Sequence, residues 1–188
     1  LFQLAPYATA NEFFGLQIGA YAMSEDSSGL KLSLVDRTEG FARYFKMALV
    51  HYDQDMTGLR IGLINLSDTP ELKVYGPDYG SFVGLDIGIL GISQSKSKFI
   101  SISGLYGKIE EMYGLAIHGL YSNIEKAEGL IVSVLSNVEK KLDGLQIAPI
   151  SIGPNNGNYL QIGLLTLRQR DDGRGYDASP IIGWHFDK

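Results

Sequence analysis

Lys31, Arg60 and Asp86 hold the same place in a repeated short unit, standing third in Gly29-Leu30-Lys31-Leu32, Gly58-Leu59-Arg60-Ile61 and Gly84-Leu85-Asp86-Ile87. Charges fixed along the wall of a pore set which ions it prefers, so these three are the candidates for ion preference if their face lines a lumen. Ser103, His118 and Ser133 are fifth in consecutive units, an arrangement that would bring a hydroxyl beside a base. Neither an orienting group nor an oxyanion site accompanies them, and the fifth position is small in most units. Crowding between strands is therefore the expectation, and no catalytic residue is assigned. Asp53, Asp55 and Asp68, and again Asp171, Asp172 and Asp177, could offer oxygen ligands to a hard cation, but they lack a fixed ligand spacing and read as solvated turn acids. His51, His118 and His185 are too dispersed to form a metal centre. No metal and no cofactor is expected. The long segment from Ser67 to Val83 contains Tyr75, Asp78 and Tyr79, the candidates for contact with an outside partner.

The elements that must position these residues are copies of one β-type segment. Units begin at Gly84, Phe99, Gly114, Gly129, Gly144 and Tyr159, 15 residues apart, and upstream at Leu1, Gly15, Gly29, Arg43 and Gly58, with spacings of 14, 14, 14 and 15. Side chains alternate across a strand, so the second and fourth positions share a face. That face is apolar, as in Leu16/Ile18, Leu59/Ile61 and Leu160/Ile162, whereas the first, third and fifth positions carry Gly, Ser, Ala, Gln and occasional charge. The seventh position is apolar in every unit, which suggests a rim or a bulge. Residues 10 to 14 of each unit read as turns, Ser24-Glu25-Asp26-Ser27-Ser28 being a plain case. The unit counted from Arg43 breaks the pattern: Lys46 falls on an apolar position while Phe45 and Met47 fall on the small face, so its register slips by one.

Composition narrows the function classes. The chain has 188 residues, enough for one repeat-built domain over 1–188, with 45% hydrophobic and 20% charged residues. A net charge of −5 with no broad basic field argues against nucleic acid as a partner. The absence of cysteine removes disulfide frameworks and thiolate metal sites. No basic leader and no long apolar run is present, so the chain reads as a mature exported form without a transmembrane helix.

Twelve strand candidates, counting Pro180 to Phe186, and two long connections that both follow odd strands favour an up-and-down antiparallel β-barrel in an outer membrane. In that reading the Leu/Ile face meets membrane lipid, and the protein is a small pore or a structural surface protein without catalysis. Lysine at Ile61 would then be costly and lysine at Gln17 tolerated. The alternative is a β-solenoid of 14–15-residue coils acting as a soluble or anchored binding or adhesion module. A soluble closed barrel is a third possibility, and residues 123–143 also carry helical spacing.

The Gly-Leu-Gln-Ile-Gly units, with the closing Gly163-Leu164-Leu165-Thr166-Leu167-Arg168 and Pro180-Ile181-Ile182-Gly183-Trp184-His185-Phe186, resemble the bacterial surface repeat-containing proteins. The resemblance implies export to the envelope or surface of a bacterium and no assigned reaction. It supplies no catalytic residues, and the protein partner stays unknown.

Overall fold

The structure is a computed structural model that describes residues 2–67, 81–170 and 175–187. Tyr75, Asp78 and Tyr79 lie outside the described residues.

Each repeat unit is one complete turn of a coil, and each turn lies parallel on the one before. β1 (Phe2–Leu4) pairs with β2 (Tyr7–Ser67) at an offset of 14, Phe2 against Leu16. β3 (Ser81–Ser103) pairs in parallel with β2 and with β4 (Tyr106–Ile147); the latter offset is 15, Phe99 against Gly114. β5 (Ile150–Gly153) and β6 (Tyr159–Gln169) continue the parallel stack. The result is a parallel β-solenoid of about ten turns. Among the described residues only β7 (Tyr176–His185) runs antiparallel, folding back on β6 so that Leu160 faces Trp184 and Ile162 faces Ile182.

This corrects the barrel. Antiparallel closure, a porin-like lumen and membrane-spanning strands are all overturned by the parallel register. The soluble closed barrel falls with them, and residues 123–143 are part of β4 rather than a helix. The error has a physical source. Residues 10 to 14 of each unit look like turns because many are polar, yet Ser24, Ser27, Thr38 and Asp53 point into the coil and are buried. Beside them Phe13, Met56, Phe82, Met112 and Leu142 supply apolar filling from the same stretch.

Burial divides each turn cleanly. The third position faces inward in Gln17, Lys31, Lys46, Arg60, Asp86, Ser101, Ala116, Ile131, Gln146 and Gln161, all buried. From about Ile109 onward the interior holds an apolar cluster of Ile109, Met112, Ile124, Ile131, Val138, Leu142 and Tyr159, with His118, Ser122, Ser136, Gln146 and Gln161 buried in the same turns. Before that it is largely polar.

A single corner explains the glycines. The first position has positive φ in Gly15, Gly29, Gly58, Gly84, Gly114, Gly129 and Gly144, and the same corner is held by Tyr44 (φ 84°) and Phe99 (φ 88°). Tyr44, not Arg43, is thus the first residue of its turn, which resolves the slipped unit and places Lys46 third. A Cβ on Gly129 would lie 2.0 Å from the Gly114 carbonyl oxygen, so neither the conformation nor the space admits a side chain there. Gly129→Ala is expected to cost about 3 kcal/mol or more in urea unfolding. Phe99→Gly, which relieves positive φ at an exposed side chain, should stabilise by about 1 kcal/mol.

Candidate functional site

The sequence candidates Lys31, Arg60 and Asp86 belong to a buried ladder of alternating charge. Lys31 Nζ lies 2.8 Å from Asp36 Oδ1, and Lys46 Nζ lies 2.7 Å from Asp36 Oδ2 while also pairing with Asp53. Arg60 donates from Nη1 to Asp53 Oδ2 at 3.2 Å and from Nη2 and Nε to the two oxygens of Asp86 at 2.6 and 3.1 Å. Asn65 Nδ2 and Gln94 Nε2 donate to the remaining lone pairs of Asp86. Ser24 and Thr38 accept from Lys31, and Ser67 accepts from Arg60. Phe82 packs its ring 5.0 Å from the Arg60 guanidinium carbon. Three cations thus meet three carboxylates in a buried interior.

Burial would raise the Asp36 carboxyl, but Lys46, His51 and Lys31 outweigh it and hold the group far below the usual carboxylate range. Burial would likewise lower Lys46, and Asp36 and Asp53 reverse this and raise it. Arg60 is raised by Asp86 and Asp53 against the same burial penalty. Lys31 sits at the end of the ladder, where burial and the neighbouring Lys46 lower it despite Asp36.

The barrel lumen on which an ion-preference role rested is overturned by the parallel coil, and the ladder's charges are paired with one another. Asp36, His51 and Asp53 have the composition of a cation site, with ligand atoms within 4.8 Å of one another. The Lys46 ammonium stands among them, so the protein supplies the cation from its own chain. His51 reaches the Ile61 carbonyl through Nε2 at 3.0 Å and lies 3.5 Å from Asp36 through Nδ1.

The Ser-His arrangement also resolves into structure. His118 shares a 2.8 Å hydrogen bond with Ser122 of its own turn, not with Ser103 or Ser133, and its ring fills the space left by the missing side chain of Gly107. Both partners are buried, and burial pushes the imidazole down to about 4. A hydroxyl and a base are adjacent there, both enclosed within the coil. Asp177 is occupied by Arg168 at 3.0 Å and Arg170 at 2.8 Å, while Asp68, Asp171 and Asp172 lie outside the described residues. His51, His118 and His185 stand on three different elements, β2, β4 and β7.

Lys46, Asp36 and Asp53 are the members that the sequence reading missed as a set. The signal was present: Lys31, Lys46 and Arg60 are spaced 15 and 14, and Asp36, His51 and Asn65 repeat the same spacing. It was hidden by counting the unit from Arg43 rather than Tyr44.

What the molecule offers to the outside is the other half of the alternation. The second position faces outward in Phe2, Leu16, Leu30, Phe45, Leu59, Leu85, Ile100, Leu115, Leu130, Leu145 and Leu160. The fourth does so in Leu4, Ile18, Leu32, Met47, Ile61, Ile87, Ile102, Ile117, Val132, Ile147 and Ile162. All are exposed or half-buried, and none is polar. Trp184 and Ile182 of β7 extend the two columns by one rung. The sixth position widens the strip with exposed Leu34, Leu49, Ile89, Val134 and Leu164. Charged side chains lie outside these columns, Lys126 pairing with Glu111 at 2.9 Å and Lys140 with Glu125. Among the described residues, nothing packs over the apolar strip.

No protein-family model, curated protein or solved structure matches the chain.

Two substitutions test the interior. Lys46→Met leaves Asp36 and Asp53 with one cation too few, and unfolding measurements should show a loss of about 3–5 kcal/mol. Adding Asp53→Leu restores charge balance, with Lys31 facing Asp36 and Arg60 facing Asp86, so the double variant should be more stable than Lys46→Met alone. His118 gives a pH signature. Its folded value lies below that of the unfolded chain, so the stabilisation is complete above about pH 6.5 and is lost as pH falls toward 4, by about 3 kcal/mol. Urea midpoints across that window should fall in the wild type, and His118→Asn should flatten the decline.

Proposed function

We propose that this chain is a binding or adhesion module, a β-solenoid that presents its flat Leu/Ile face to an apolar partner at the surface of a bacterium. One observation carries the reading: two outward columns run the length of the coil without a single polar side chain. A monomeric protein rarely exposes a contiguous apolar patch beyond a few hundred Å² unless something docks on it. A row of lone leucines on a surface is ordinary; an uninterrupted strip of them is not. The interior supports the same reading from the other side, since its charged side chains from Lys31 to Asp86 are paired with one another and enclosed. The resemblance of the Gly-Leu-Gln-Ile-Gly units to exported bacterial surface repeat proteins supports the location. No reaction and no cofactor enters this reading.

The reading is tested in detergent-free buffer at nanomolar protein. The native chain should stay folded and bind an apolar fluorescent dye. A variant carrying Ile61→Lys, Ile102→Lys and Ile117→Lys should keep its circular dichroism spectrum and bind several-fold less dye. Equal dye binding by the two proteins, or a need for detergent to keep the native chain folded, would reject it.

A further inference from the structure

We infer that the occupant of the apolar face is a second copy of this chain, joined face to face in a two-fold dimer with the two solenoids antiparallel; this rests on the face being the binding surface. Size is the first argument. Rungs about 4.8 Å apart over the length of the columns give roughly 50 Å, and a strand face with its adjoining corner column is about 15 Å wide. The product, on the order of 800 Å², is what each partner contributes to a standard stable interface. The strip needs a cover that is apolar over that whole length, and the chain carries one such surface, itself. Two flat sheets with side chains in regular columns can interdigitate at about 10 Å, as the layers of a sandwich do.

Charge at the rim fixes the orientation. The residue just before the positive-φ corner sits at the edge of the face, and along that edge Arg43 and Lys98 come first and Glu128 and Asp143 later. A two-fold axis crossing the face between the rungs of Gly84 and Phe99 is at the middle of the columns, counting β7. It sets the rung of Tyr44 against that of Gly129, so Arg43 meets Glu128 of the second copy, twice by symmetry. Lys98 then meets Val83 and Asp143 meets Ser28, and no like charges are opposed. Glu128 makes no ion pair within its own chain among the described residues, and Arg43 lies over the Phe41 ring at 4.9 Å. A parallel dimer would instead set these charges against the leucines of the opposite corner. A lipid surface would call for a basic rim on both halves, and the second half of this rim is acidic.

Sedimentation of the full chain from nanomolar to high micromolar concentration should show a reversible dimer. Ile61→Lys with Ile102→Lys should leave a folded monomer. Arg43→Glu alone and Glu128→Arg alone should each weaken association about tenfold, and the two together should restore it; these rim residues are exposed, so this cycle decides even if the lysine variant fails to fold. A wild type that stays monomeric, a lysine variant that still dimerises, or two charge reversals whose effects merely add would overturn the dimer. Flotation of the monomer with phosphatidylethanolamine–phosphatidylglycerol vesicles would overturn it also. Loss of dye binding in the lysine variants of a protein that never associates would reject the second copy and leave the face as a binding surface. If neither dye nor association responds to lysine, both readings fail.

Discussion

Every turn of this chain stacks in register on an equivalent turn, so each side chain must be compatible with its own counterpart about 4.8 Å away. For leucine on leucine this is easy. For lysine on lysine it is not, and the third inward position places Lys31, Lys46 and Arg60 one above another. The structure resolves this by inserting Asp36 and Asp53 from two other inward columns and by placing Asp86 on the rung after Arg60 in the cations' own column. Asp36 lies between the two lysines, Asp53 between Lys46 and Arg60, and Asp86 closes the series. Burying such pairs adds little net stability over an apolar core. It does penalise misregister, because a shift by one turn would separate cations from their carboxylates. The turns around Ile131 show the apolar solution to the same stacking problem.

The same constraint shapes the exterior. If the interior of one side is polar and paired, strict alternation sends the Leu and Ile residues out, and the repeat multiplies them into columns. Stacking covers part of each residue with its neighbours, which leaves much of the strip half-buried rather than fully exposed. The positive-φ corner is part of this economy of space. It turns the chain in one residue, and at most rungs only glycine lets the next carbonyl approach as closely as the stack requires.

Much of this was legible in the amino-acid sequence. The alternation identified the two faces, and the 14–15-residue spacing identified the unit. Direction was not legible. A unit of that length accommodates a strand plus a hairpin turn as readily as one turn of a coil, and only the inward orientation of residues such as Ser27, Ala42 and Met56 separates the two. Lys31, Arg60 and Asp86 were rightly singled out as sharing a face, but what surrounds them depends on Lys46, and Lys46 was displaced by a one-residue miscount at Arg43. Tyr44 at a glycine corner disguised the true start of that unit. Tyr75, Asp78 and Tyr79 remain a sequence reading, outside the described residues.

The parallel stack is the premise of the charge ladder, the outward columns and the dimer geometry alike. A map of cross-strand backbone proton contacts by nuclear magnetic resonance tests it most directly. The account predicts contacts at a constant offset, Phe99 beside Gly114 and Ile102 beside Ile117, with opposed numbering confined to β6 and β7. Contacts whose residue numbers rise on one strand as they fall on the next throughout Phe2 to Ile147 would contradict it.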